Sequence, residues 1–159
     1  MYILAVDPGF ERIGIAIIKK NSQSSAEELV YSTCFKTSSK IIFNERLLLI
    51  GKKLEKIIKK YKPQTLAIET LFFVTNQKTA MRVSEARGVI IYEAKKRGLT
   101  IVEYTPLQIK VAMTGYGKAT KDQMAIMIKK LINLKKKIKS DDEMDAIAIG
   151  LTCFAYKKI

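Results

Sequence analysis

The periodicity of the chain changes once, and that change limits the fold more than any other feature. Residues 2–7 and 12–19 are apolar, β-branched runs separated by the turn-forming Pro8-Gly9, and residues 28–36 form a third, more polar run. Three consecutive strands with no helix between them predict an antiparallel meander. From Asn44 the spacing becomes helical: Leu47, Ile50, Leu54, Ile57 or Ile58, and Tyr61 recur along one face, with Asn44 as the expected N-cap and Pro63 as the stop. Thr65–Glu69 reads as a short buried strand, about residues 76–97 as a helix ended by Gly98, and Leu99–Tyr104 as the last strand. Thr105-Pro106 starts a short helix with proline at its first position, and Gly115-Tyr116-Gly117 breaks it. Thr120 and Gln123 have capping-box spacing for a helix running to about Leu134, and Ser140 and Glu143 repeat that spacing. Met144, Ile147, Ala148, Leu151 and Phe154 or Ala155 mark one apolar face of this final helix. The order predicts an α/β fold: a five-stranded mixed sheet, its first three strands antiparallel, with helices on both faces. The 159 residues suit a single domain spanning 1–159.

Composition narrows the function. With 29 Lys+Arg against 15 Asp+Glu the net charge is +14, spread along the chain, and a polyanion is the natural partner. Nucleic acid fits better than a membrane surface, because no terminal amphipathic helix combines a basic with an apolar face. A lysine-rich surface serving solubility alone is the plain alternative. No apolar run approaches the ~20 residues that span a bilayer, and no basic leader precedes the first strand, so a cytoplasmic protein is expected. Cys34 and Cys153 lack paired-motif spacing and read as reduced thiols. The absence of histidine removes the commonest general base and zinc ligand, leaving carboxylates, lysines, tyrosines and cysteines for any chemistry.

In so basic a chain, acids at the ends of apolar segments need a reason. Asp7 closes the first strand, Glu69 closes Thr65–Ile68, and Asp142 and Asp145 open the stretch Ala146–Leu151. Asp142 and Asp145 are three apart on a helix and share one face. If the first and fourth strands are neighbours, Asp7 and Glu69 project from adjacent strand ends, and the final helix can bring its pair to meet them. Such a cluster repels itself unless cations intervene. With oxygen donors and no histidine, Mg²⁺ or Mn²⁺ is the expected ion. Two ions about 4 Å apart activate a water and stabilise the leaving oxygen in attack on a phosphodiester. Each acid also has an ordinary reading: Asp141, Asp142 and Glu143 as first-turn residues opposing a helix dipole, Asp7 as a turn former, Glu69 as the partner of a lysine.

Asp7-Pro8-Gly9 after an apolar strand, Ala67-Ile68-Glu69 followed by Phe72, Ala86-Arg87-Gly88-Val89, and Asp142-x-x-Asp145-Ala146-x-Ala148-Ile149 closely resemble the RuvC family of Holliday junction resolvases. The resemblance covers nearly the whole chain. It implies a ribonuclease H-like fold, a homodimer, and Mg²⁺-dependent symmetric nicking of four-way DNA junctions, with two ions per active site and Mn²⁺ able to substitute. By position Asp7, Glu69, Asp142 and Asp145 fall on the family's catalytic, metal-binding acids. The adjacent Asp141 competes with Asp142 for its place, and the Asp-x-x-Asp spacing favours Asp142. Lys110 and Lys121 match basic positions of the family and flank the loop carrying Lys118, and all three read as DNA-binding or as ordinary surface lysines. The match places Phe72 at a base-contacting position, with Phe73 beside or beneath it; an apolar pair can also be core. Residues 76–93, with Ala80, Met81, Val83, Ala86, Val89 and Ile90, resemble the family's dimer helix, or pack only on the sheet. A branch-migration helicase complex is a further implied partner. Rival readings are a ribonuclease H-like nuclease on RNA–DNA hybrids, a strand transferase, an actin-like or sugar-kinase-like ATPase for which the chain is too short, and a non-catalytic junction-binding scaffold.

Overall fold

The computed structural model describes residues 1–20, 26–71, 77–134, 137–138 and 140–156. Strands β1 (Tyr2–Asp7), β2 (Arg12–Lys20) and β3 (Glu27–Lys36) form the antiparallel meander. Helix α1 (Phe43–Tyr61), β4 (Thr65–Glu69), α2 (Gln77–Lys96) and β5 (Thr100–Tyr104) follow, then α3 (Pro106–Thr114), α4 (Lys121–Leu131) and α5 (Asp141–Tyr156). The sheet order is β3-β2-β1-β4-β5, with β4 parallel to both β1 and β5. The first and fourth strands are therefore neighbours, as the placing of the acids requires.

The run Ile3–Val6 is fully buried because β1 is central and covered on both faces. Alternation sorts its side chains. Leu4 and Val6, with Ile13, Ile15 and Ile17 of β2, point into a core shared with α1 and α2. Ile3 and Ala5, with Ala16 and Ile18, face α5, backed by α3 and α4. Each fully buried isoleucine or leucine contributes roughly 1.5–3 kcal/mol. Because α5 is enclosed between the sheet and two helices, every residue from Ala146 to Phe154 is buried, a wider apolar surface than the single face predicted. Phe154 is packed inside, and Ala155 is exposed.

Two boundaries differ from expectation. Helix α1 begins at Phe43 with Ile42 at the N-cap and no side-chain cap, so Asn44 lies inside the first turn. Phe43 sets the start by packing edge-on against Phe10, ring centroids 5.8 Å apart, with the Arg82 guanidinium over its ring. Helix α4 stops at Leu131, short of Leu134, because Ile132 turns extended (φ −136°, ψ 136°) and is buried in the core. The Thr120–Gln123 capping box is complete in both directions, and a second one, Thr105–Gln108, opens α3. Thr120→Ala is expected to lower the unfolding free energy by about 1 kcal/mol, read from the urea midpoint.

One close approach positions the functional end of α5. Gly14 faces that helix, and a Cβ there would overlap the backbone carbonyl of Asp142 and lie 3.2 Å from the Ala146 Cβ. Glycine is what lets the N-terminus of α5 rest on β2.

Candidate active site

The register of the sheet assembles the acids. Val6 pairs with Ile68 across the parallel β1–β4 ladder, so the next residues, Asp7 and Glu69, end neighbouring strands at one edge. Asp7 pairs with Gly14, and Gly14 is where the backbone of Asp142 rests. One turn along α5, Asp145 faces a cleft of about 300 Å³ with Glu69, Lys110 and Lys121, floored by Pro106, Ile109, Met124 and Ile149. Three segments far apart in sequence thus meet at one site.

The electrostatics record how close they are. Burial pushes the Asp7 carboxyl up to about 8, reinforced by Asp145, Glu69 and Asp142 and opposed by Lys121. Burial and then the charge of Asp145 push Glu69 up to about 6. Asp145 is also raised, mainly by burial, with Lys121 pulling it down and Asp141 and Asp142 pushing it up. Asp142 goes the other way. Burial pushes it up, but hydrogen bonds from Ser140, Arg12 and its own backbone N–H, together with the Arg12 charge, outweigh burial and hold it below the ordinary carboxylate value.

The lysines separate into two groups. Lys121, at the first position of α4, lies 3.9 Å from Asp145 and 3.6 Å from Asp141. Lys110, on α3, lines the same cleft. Lys118 lies exposed in the turn before α4 and is not part of the cleft lining. Phe72 and Phe73 lie outside the described residues. Asp141 is well exposed, pairs with Lys121 and acts on Asp145 alone of the other three acids, whereas Asp142 is half-buried and acts on both Asp7 and Asp145; this favours Asp142 as the member of the cluster. On α2, Ala86 and Ile90 are packed into the core while Met81 is exposed, so the helix serves the sheet on one side and is open on another.

Asp142 departs from the expected convergence. Among the described residues no three His, Cys, Asp or Glu side chains are disposed to hold a metal ion. Asp142 is engaged by Arg12, whose Nε and Nη2 sit 2.8 and 2.6 Å from its Oδ2. Ser140 donates to the same oxygen at 2.8 Å and the Cys34 thiol at 3.6 Å. No motif or spacing in the sequence marks these three residues as parts of the site. The available signal was a basic residue opening β2, five positions after Asp7. Arg87, inside the quoted Ala86–Val89 motif, donates from Nε to the Glu69 carbonyl at 3.2 Å and pairs with Glu103, bracing the ends of β4 and β5.

Proton linkage follows from these shifts. Asp7 and Glu69 keep their protons in the folded chain up to about 8 and 6, but lose them near 4 when unfolded. The folded state therefore binds more protons across that window, and its stability is fully present below it and falls as pH rises through it. The melting temperature of the metal-free protein is expected to decline between about pH 5 and pH 8, and Asp7→Asn should flatten most of that slope.

Residues 3–153 match the family described as Crossover junction endodeoxyribonuclease RuvC. The chain belongs to the RuvC family. A relative of that description from Alkaliphilus oremlandii is 43% identical over 156 residues, 98% of this chain and 93% of its own length. Another from Halothermothrix orenii is 44% identical over 151 residues, covering 95% and 90%. Among solved structures, Thermus thermophilus RuvC in complex with Holliday junction substrate superposes with a TM-score of 0.91 at 28% identity, covering 98% of this chain and 94% of that one. Within the family's α/β, ribonuclease H-like fold, the four acids stand at the edge where β1 and β4 end beneath α5. No helix among the described residues is long and apolar enough to cross a membrane.

Proposed function

We propose that this protein is a Holliday junction resolvase, a single nuclease domain over residues 1–159 that nicks two opposed strands of a four-way DNA junction by metal-dependent hydrolysis during recombination and repair. The observation that carries this reading is the meeting of Asp7, Glu69 and Asp145, with Asp142 one turn back on α5 and held by Arg12, beside the Lys110–Lys121 cleft in a RuvC-family chain of net charge +14. The donors fit hard divalent cations: all are carboxylate oxygens, and burial with the charge of neighbouring acids raises Asp7 to about 8 and Glu69 to about 6. Mg²⁺ is the assigned ion, two per site, with Mn²⁺ as a substitute. When bound, the ions supply activation of a water for in-line attack and stabilisation of the leaving oxygen.

The chain's own residues do the rest. Asp7 and Glu69 shed their protons to become ligands, so cation affinity rises with pH across about 6 to 8. Asp145 is the second wall of the site, and Lys121 beside it offsets its charge and is placed to meet a backbone phosphate. Lys110 and Lys118 hold the backbone, and Phe72 contacts a base, with Phe73 supporting it. A two-fold junction calls for two sites, so a homodimer through α2 supplies the paired cuts, with a branch-migration helicase as a further partner. The protein works on DNA in the cytoplasm.

The test offers a labelled four-way junction, a linear duplex and an RNA–DNA hybrid with Mg²⁺ or with EDTA. Cleavage confined to the junction and to Mg²⁺ is the expected result. Cleavage of the hybrid in preference would make the protein a ribonuclease H-like enzyme, and junction binding without cleavage would make it a scaffold.

A further inference from the structure

The hold of Arg12 on Asp142 has no place in a simple ligand set. Asp142 comes from the first turn of α5 and Arg12 from the start of β2, 130 positions away, so the contact exists only in the folded chain. Three donors converge on one oxygen, Oδ2: Arg12 through its Nε and Nη2, Ser140 through its hydroxyl and Cys34 through its thiol. Arg12 Nη2 also donates to the Ser140 hydroxyl at 3.1 Å, closing the cluster. A carboxylate so engaged has an oxygen turned to a guanidinium rather than to a cation. The two partners are unequally exposed. The Arg12 side chain is half exposed while Asp142 retains 24% of its surface, so the arginine can leave toward solvent and the acid stays.

We infer that Arg12 is a latch on Asp142, released when a backbone phosphate of the bound DNA takes its guanidinium. The inference rests on the nuclease reading above, because it assigns Asp142 a second state in which it joins Asp7, Glu69 and Asp145 around the cation. A phosphate oxygen is a natural competitor for a guanidinium already paired with a carboxylate, since both accept the same planar fork of N–H donors. A phosphate placed for cleavage beside Asp7 lies close to Asp142, and so within reach of a side chain that touches Asp142. Once the guanidinium has moved, Asp142 keeps the Ser140 and Cys34 contacts, which are neutral and leave its negative charge uncompensated. A cation then becomes its favoured partner. The site is in this way completed by substrate: DNA binding raises cation affinity, and by thermodynamic reciprocity cation binding raises DNA affinity. A resolvase with such a latch does not hold a complete set of ligands until DNA is in place.

Arg12 is accordingly a positioning residue, and its role separates from catalysis in a binding measurement. Mn²⁺ affinity is measured by calorimetry for the wild-type protein and for Arg12→Gln, each alone and with a phosphorothioate-substituted four-way junction, subtracting Mn²⁺ binding to the DNA alone. The wild-type protein is expected to bind Mn²⁺ about tenfold more tightly with DNA than without it. Arg12→Gln alone should already bind about as tightly as the wild-type protein with DNA, and DNA should add little. Arg12→Lys, which keeps the charge but loses the fork, should fall between them and serves as the readout if the glutamine variant does not fold. Equal Mn²⁺ affinity of the wild-type and variant proteins in the absence of DNA would overturn the latch while leaving the metal site intact. No Mn²⁺ binding by the wild-type protein, with or without DNA, would overturn the metal site itself and the latch with it.

Discussion

Asp7→Asn is expected to lower junction cleavage by at least about 10³-fold while leaving junction affinity within a few-fold of the wild-type protein. Asparagine keeps the size and one oxygen of the side chain but removes the charge on which cation binding at the junction of β1, β4 and α5 depends. Affinity for DNA comes from distributed lysines, so it should persist. The same substitution has an effect of opposite sign on the fold. Asp7 is raised to about 8 by burial and by Asp145, Glu69 and Asp142, so ionising it costs folding free energy at alkaline pH. The variant should therefore melt higher than the metal-free wild-type protein near pH 8 and about equally near pH 4. Saturating Mg²⁺ should narrow that gap by stabilising the wild-type protein alone. A variant both inactive and less stable at every pH would mean that Asp7 is a structural residue.

The second large effect concerns a residue with no functional atom. Gly14→Ala is expected to destabilise the protein by about 3 kcal/mol, because its methyl group meets the Asp142 backbone rather than a movable side chain. Relief requires the N-terminus of α5 to lift from β2, which carries Asp142 and Asp145 away from Asp7. Displacements of about 1 Å at such a site cost on the order of 10²-fold in rate. Cleavage measured well below the variant's melting temperature should thus fall even though no ligand has been changed. Retained activity in a destabilised but folded Gly14→Ala protein would separate packing from positioning and refute the link drawn between them.

What was legible in the sequence follows from the range of the interactions. The apolar, β-branched runs of β1 and β2, the punctuation at Pro63 and Gly98 and the Thr120–Gln123 box act over a few residues, and each matches the element found there. Asn44 is not the N-cap, because its local signal loses to Phe43, whose contact with Phe10 spans more than thirty positions. The acids were legible because charges at the ends of buried strands in a basic chain have few explanations. The engagement of Asp142 was not. It depends on a glycine at one point of β2 and an arginine at its start, and neither predicts its partner until the sheet and α5 are in place. Lys118 shows the limit of spacing: its loop adjoins the cleft in sequence, yet of these three lysines Lys110 and Lys121 line it and Lys118 does not.

Whether these carboxylates make the protein a junction nuclease is read from a single-turnover reaction on a four-way junction labelled in turn on each of its strands. With Mg²⁺, nicks are expected on two strands only, opposite one another and symmetrically placed about the crossover. None are expected with EDTA, and none from the Asp7→Asn or Asp145→Asn proteins although both still shift the junction in a gel. Nicks of equal rate in EDTA, or from either variant, would contradict the assignment of these carboxylates as the residues that make the protein a nuclease.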